Sequence, residues 1–312
     1  MSTNRRNVTL IAAVLALATA RSAVAQVGTR AAGMAGAFVA VADDATAVYW
    51  NPAGVGTGAI VSAVFDAGRF QTGSPERQRA VTEEDTGAVL AISATAIGAA
   101  YYRFGTYGTT AAVEPAVVSP DGREEVRRSV HALTMTAVGV SFVQSLSEHV
   151  VVGVTPKVMR GLGRNAIDVD AGLIAWANRF RFGLVGRNLT TPVFGAGANG
   201  EVELDRELTV GGAWGSGWTG ISRVIVSVDG DVLSRPTPTG DRRDIAAGVE
   251  TWWLQQRLGL RGGVRRSTIG DPRGAVTAGF SAGLKPGLLL EAHVRRGADD
   301  EHSWSVGARM TF

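Results

Sequence analysis

His302-Ser-Trp-Ser-Val-Gly-Ala-Arg-Met-Thr-Phe312 alternates without a break. Trp304, Val306, Ala308, Met310 and Phe312 fall on one face of an extended strand, and Ser303, Ser305, Gly307, Arg309 and Thr311 on the other. The pattern repeats upstream. Leu288, Leu290, Ala292 and Val294 oppose Glu291, His293 and Arg295; Leu258, Leu260 and Val264 oppose Arg257, Arg261 and Arg265; Val224, Val226 and Val228 oppose Arg223, Ser227, Asp229 and Asp231. Each segment has one apolar face and one charged face. Period alone does not say which face meets solvent, because a soluble sandwich buries the apolar face and a membrane barrel turns it outward.

The number and spacing of the segments choose between these. Alternating stretches fall near 59–70, 88–96, 98–107, 130–145, 149–160, 166–177, 179–189, 207–215, 219–233, 243–254, 256–267, 274–283, 287–297 and 302–312, about fourteen in all. The gaps between them are mostly long and polar after odd-numbered segments, as at 72–87, 108–129, 190–206 and 234–242, and tight after even-numbered ones. An up-and-down barrel with short turns on one side of a membrane and long loops on the other produces this asymmetry, whereas a Greek-key sandwich has no reason to. The expected fold is therefore all-β: a transmembrane antiparallel β-barrel over residues 58–312. Phe312 supplies the terminal aromatic that resembles the assembly signal of such barrels. Trp253, Tyr102 and Phe180 suit an interfacial aromatic girdle. Two segments fit less well. The apolar phase slips between Met135 and Val138, which suggests a bulge, and Pro156 interrupts the fifth segment, where it reads as a kink or bulge.

The first residues are consistent with export. Arg5 and Arg6 precede an apolar run over 8–18, and Ser22-Ala23-Val24-Ala25 offers small residues for cleavage, so residues 1–25 are expected to be a signal peptide. The run is far shorter than the roughly 20 residues of a membrane-spanning helix. Loss of Arg5, Arg6 and Arg21 takes the formal charge of +3 to zero, which removes any electrostatic case for a nucleic-acid partner. The chain has no cysteine, excluding a disulfide framework and thiolate chemistry. Mean hydropathy of +0.11 comes from alternation, since no apolar run exceeds the signal.

One stretch departs from the two-residue period. Residues 30–55 are rich in Ala and Gly and end in Trp50-Asn51-Pro52-Ala53-Gly54, in which Asn-Pro initiates a turn. Residues 26–57 are expected to form a small helical hatch in the lumen. Here the chain resembles a known family: Gly33-x-x-Gly36, Asp43-Asp44, and Trp50-Asn51-Pro52-Ala53 are similar to the N-terminal signature of the outer-membrane superfamily of FadL-type fatty-acid channels and PorV/PorQ-like proteins. Phe182-Gly183-Leu184-Val185-Gly186-Arg187-Asn188-Leu189 is similar to a strand end of the PorV/PorQ-like branch. The resemblance implies a fourteen-stranded barrel in the outer membrane of a Gram-negative bacterium, plugged by the hatch. It further implies either passive transport of a small hydrophobic ligand or a non-conducting scaffold for secretion-system proteins. The partners expected are thus outer-membrane lipid and one of these two.

Nothing points to catalysis. His131, His149, His293 and His302 lack metal-ligand spacing, and no metal or cofactor is expected. The paired carboxylates Asp168/Asp170 and Asp229/Asp231 read as parts of a satisfied lumen network. Gly33-x-x-Gly36 lacks the register of a phosphate loop. The expected hatch or gate residues are Gly33, Gly36, Asp43, Asp44, Trp50, Asn51, Pro52 and Ala53. The expected lumen network is Asp229, Asp231, Arg261, Arg265, Glu291, Arg295 and Arg309, with Asp43, Asp44, Tyr49 and Trp50 reaching its arginines.

Overall fold

The computed structural model describes residues 27–71, 84–110, 117–118, 124–125, 130–195, 201–220, 222–237, 240–270, 273–298 and 301–312. The expected signal peptide lies outside the described residues. Fourteen long strands run through the described chain, each antiparallel to its sequence neighbours. They are β1 Val61–Gln71, β2 Glu84–Ala94, β3 Ile97–Thr110, β4 Val130–Ser147, β5 Val150–Gly161, β6 Arg164–Ala177 and β7 Phe180–Arg187. After these come β8 Glu207–Thr219, β9 Ser222–Asp231, β10 Asp244–Trp253, β11 Leu258–Ser267, β12 Gly274–Lys285, β13 Leu288–Gly297 and β14 His302–Thr311. Pairing of β1 with β14 closes the sheet, with Ala63 opposite Met310 and Phe65 opposite Ala308. Closure removes both edges, so every ladder group can pair without water.

The outer wall is the apolar face read from the sequence. Leu90, Val138, Val158, Val264, Val276, Val294 and Val306 all point outward and are more than half exposed. Inward positions on the same strands carry Asp66, Ser141, Asp229, Glu250, Arg261, Glu291 and Arg309, all buried. A closed barrel with this inversion is built for lipid outside and protein inside. Even-numbered strands end in two- to four-residue reversals at one rim, and longer connections gather at the other, apart from the Leu162-Gly163 turn between β5 and β6. Long-loop rims of such barrels face outward from the cell, and short turns face the periplasm.

Residues 27–57 fill the short-turn half of the lumen. Helix α1 (Thr29–Gly33) is a little over one turn, ended by left-handed Ala35 and Gly36. Helix α2 (Ala47–Trp50) stops at Asn51, which the following proline holds extended at φ −163°. A 3₁₀ turn (Pro52–Thr57) follows, with the Asn51 side chain accepting the Ala53 N–H at 3.2 Å. Nearly all of this segment is buried.

Three readings need correction. Between β3 and β4 the register is continuous from Ile97–Phe142 to Thr109–Val130, so no bulge lies at Ala137-Val138. The apparent phase slip arises because Leu133 and Met135 are apolar residues of the inner face, packed in the core, whereas Val138 and Phe142 belong to the outer face. Pro156 breaks nothing: it points outward opposite Val169, and the register of β5 against β4 is the same on either side of it. Its missing N–H costs one ladder bond without a kink. Tyr102 is not a girdle residue; it is fully buried inside the barrel, edge-on to Tyr49 at 5.3 Å. Strand β2 also begins at Glu84, shortening the first expected loop, and β7 ends at Arg187 because Asn188 turns with φ +54°.

Candidate functional site: the seated hatch and the vestibule above it

The hatch is gripped on two sides by different chemistry. Toward β10–β14 the grip is ionic. Arg30 of α1 makes a bidentate pair with Glu250 of β10, Nε to Oε1 at 2.8 Å and Nη2 to Oε2 at 2.7 Å. Arg261 of β11 donates Nε to Glu250 at 2.6 Å and Nη2 to Glu291 of β13 at 2.8 Å. Arg309 of β14 donates to Glu291 at 3.0 Å and lies 3.9 Å from Asp44. Asp44 accepts from Arg30 at 3.1 Å, and Asp43 pairs with the same guanidinium nitrogen. Arginines and carboxylates thus alternate around a closed ring: Arg30, Glu250, Arg261, Glu291, Arg309, Asp44. Trp252 floors it, with Arg261 and Arg309 over the ring at 5.3 and 5.5 Å.

Ionisation follows from the pairing. Burial alone would lower the Arg30 pKa, but Asp43, Glu250 and Asp44 outweigh it and hold the guanidinium well above its ordinary value. Burial likewise acts to raise Asp43, yet Arg30 and Arg181 hold its carboxyl below the usual range.

On the opposite side, toward β5–β7, the grip is steric and backbone-mediated. The Asn51 amide donates to the carbonyls of Val39 at 2.9 Å and of Leu173, on β6, at 3.1 Å. Gly153, Gly172 and Gly183 face the hatch so closely that a Cβ at any of them would collide with Pro52, Asn51 or the Val39 carbonyl. Gly33 and Gly279 of β12 approach closely on the ionic side, where a Cβ on either would lie 3.2 Å from the other's Cα. Small residues in both partners are therefore what lets the plug seat.

Asp229 was expected to face arginines. Instead it receives the backbone N–H groups of Phe38 and Val39 at 2.6 and 2.7 Å, so it fixes hatch backbone. Asp66 does the same for Thr29 at 2.8 Å. Trp50 donates Nε1 to the Val27 carbonyl at 2.7 Å, inside the hatch. Of the expected contacts from Asp43, Asp44, Tyr49 and Trp50 to Arg261, Arg265, Arg295 or Arg309, the structure brings together only Asp44 and Arg309. Tyr49 and Trp50 are held by Arg187, which donates to their carbonyls at 3.1 and 3.3 Å and lies over both rings.

Arg265 and Asp231 lie higher, in a second cluster. There Asp244 accepts from Arg235, Arg242 and Arg265 at 2.6–2.8 Å. Arg295 pairs with Glu301 at 3.2 Å and covers the Phe70 ring at 5.2 Å. Apart from Asp231, these groups line a vestibule of about 180 Å³ at the long-loop end. Tyr49 and Trp50 contribute from the hatch, Phe70 and Phe104 from the wall, and Arg187, Glu207 and Arg235 from the upper strands and loops. The loop after β7 folds inward beside it: Phe194, Val202 and Leu204 are buried, and Val202 and Glu203 pair with the end of β3.

Reading of the sequence missed Arg30, Glu250, Arg187 and Asp244. Glu250 had a usable signal, since the β10–β11 hairpin places it directly opposite Arg261. Against the expectation that no Ser-centred elbow of the Gly-x-Ser-x-Gly type occurs, residues 279–283, Gly-Phe-Ser-Ala-Gly, have that spacing. They lie within β12, where Ser281 bonds Glu291 and Arg261, while His293 bonds Ser305. A residue in mid-strand, tied into the ring, is not an elbow.

Whole-chain structural likeness is to outer-membrane channels. The "CymD monoaromatic hydrocarbon channel" aligns over 91% of this chain and 97% of its own, with TM-score 0.63 and 12% identity. A Pseudomonas aeruginosa FadL homologue aligns over 95% and 100%, with TM-score 0.57 and 11% identity. The P. putida toluene transporter TodX aligns over 86% and 94%, with TM-score 0.54 and 12% identity. In sequence, residues 162–231, from the β5–β6 turn through β9, match the family model "F plasmid transfer operon, TraF, protein". No curated protein matches the chain in sequence. At such identities the likeness is one of fold: a fourteen-stranded bacterial outer-membrane barrel of the architecture seen in hydrocarbon and FadL-type channels.

Proposed function

We propose that the protein is a passive outer-membrane channel for small hydrophobic molecules, a member of the FadL-like superfamily, with residues 26–57 as its gate. The observation that carries this reading is the aromatic floor of the vestibule. Tyr49 and Trp50 belong to the hatch itself, so a ligand resting there touches the element that must move. Ligand binding shifts a gate only by its differential affinity for the open state, and contact with the moving element is how that difference arises. The neighbours' transport of aromatic hydrocarbons supports the same substrate class. Non-enzymatic action fits those neighbours too.

The test is flux. Deleting residues 26–56 should leave the barrel assembled, because its strands pair without the hatch, and should raise entry of a labelled aromatic hydrocarbon into vesicles. A second reading, a non-conducting scaffold for secreted proteins of the PorV-like kind, is favoured by the partial match to a family named for plasmid transfer. An inserted deletion variant as closed as the parent overturns the channel and favours the scaffold.

A further inference from the structure

Among the described residues, arginines interrupt the apolar outer wall near its upper edge. Arg69, Arg266 and Arg296 are each the ninth residue of their strands β1, β11 and β13, and Arg103 is the seventh of β3. They share the outward parity of Phe65, Val264, Val294 and Tyr101, all exposed on the lipid face. Their heights match as well. The first residue of β13, Leu288, aligns through Met310 with Ala63, two residues above the start of β1. Leu258, the first of β11, aligns through Ala282 with Leu290, two residues above the start of β13. The arginines follow this stagger, so Arg69, Arg296 and Arg266 stand level around the barrel. With a rise of about 3.3 Å per residue and a tilt near 40°, that level is about 20 Å above the strand starts, near the upper edge of an apolar band about 25 Å tall.

The level row does not continue onto β5 and β9: their ninth residues are Val158 and Gly230, and the outward arginine of β5, Arg160, stands two residues higher. Beneath the row, Val276, Ala278 and Val294 line an outer recess of about 630 Å³, with Arg296 and His302 at its edge. His302 lies opposite Arg296 in register, and Trp304 opposite Arg69.

We propose that this wall binds a glycolipid of the outer leaflet through headgroup phosphates, with an acyl chain in the recess. Guanidinium matches phosphate geometry with paired donors, and at the edge of the apolar band arginine carries little insertion cost. Neighbouring arginines of the row are about 12 Å apart, from two strand spacings and a two-residue offset. One headgroup bearing two phosphates therefore spans two of them. The site rests on the lipid-facing wall and not on the channel reading, so either stands without the other.

The experiment compares three additives on the detergent-purified protein: a diphosphorylated lipid A, its dephosphorylated form, and inorganic phosphate. Native mass spectrometry and the temperature of gel-shift unfolding are the readouts. The phosphorylated lipid should form adducts and raise the unfolding temperature, while the other two should not. Arg69→Gln/Arg266→Gln/Arg296→Gln should weaken adduct formation at least tenfold, and the corresponding triple Lys variant should retain part of it. Equal effects of phosphorylated and dephosphorylated lipid in the parent overturn the proposal without any variant. So does stabilisation by inorganic phosphate alone, or undiminished binding by a folded Gln variant.

Discussion

The two sides of the hatch seat differ in what would release them. On the β10–β14 side six charged groups close a ring whose members are buried, and loss of one leaves its neighbours charged and dry. On the β5–β7 side the hold is mainly shape: hatch backbone against wall glycines, with Asn51 bridging Val39 and Leu173 and Arg187 reaching the Tyr49 and Trp50 carbonyls. Ion pairs in a low-dielectric interior fail abruptly when a partner is removed, whereas packing degrades with the volume of the misfit. Under the gating proposed above, the ionic side would serve as the latch and the glycine side as the hinge or rest.

The largest expected effect tests the latch. Glu250→Ala should cost about 3–5 kcal/mol in hatch docking, because Arg30 and Arg261 lose their shared carboxylate in a site without water to replace it. Protease sensitivity of residues 27–57 in the inserted barrel reports this, and a hatch as protected as the parent's would dismiss the ring as a latch. Next comes the rest. Gly183→Val should cost about 1–3 kcal/mol by driving a side chain into the Val39 carbonyl, visible as a lowered urea midpoint for hatch protection. Should it instead leave the midpoint unchanged, the steric account of this side is wrong.

A smaller loss, about 1–2 kcal/mol, is expected for Asn51→Ala, which removes the cap on Ala53 and the bridge to Leu173. Hydrogen exchange at the Pro52–Thr57 turn should rise more than at Thr29–Gly33; the reverse order would mean that the two sides are not independent. The mildest perturbation is acid. Because Asp43 is held below its ordinary value of 3.8, its pairing stabilises the seat above that pH and is lost as pH falls through the lower folded value. The contribution of this pairing, read as the difference in hatch protection between the parent and Asp43→Asn, should be constant through neutral and mildly acidic solution and fall only below about pH 3.8. Loosening near neutrality would show that another group controls the latch.

The comparison also separates what was legible. All fourteen strands were visible because a membrane sheet writes its two faces into a period of two, and that period is local. The identity of the plug was visible for the opposite reason, since residues 30–55 break the period. The expected lumen charges part in a way that no periodicity distinguishes: Arg261, Glu291 and Arg309 join the ring with Arg30, Arg265 and Arg295 line the vestibule, Asp231 lies beside Arg235 and Arg265, and Asp229 holds hatch backbone. Phase alone also misled at Leu133 and Met135, because apolar inward residues look like outward ones until the buried loop and hatch they pack against are in place.

By itself, then, the sequence determined the barrel, its facing, the hatch and the asymmetry of its loops, all consequences of local alternation and of turn residues between strands. Only the tertiary structure decided which charges meet. Arg30 and Glu250 are 220 residues apart, and their bidentate pair exists because a plug from the start of the chain is inserted beside a strand from near its end. Strand register sets the height of each wall residue, but the depth and rotation of the hatch set its partner. Those depend on the summed fit of glycine to backbone, a property of two surfaces together that neither segment carries alone.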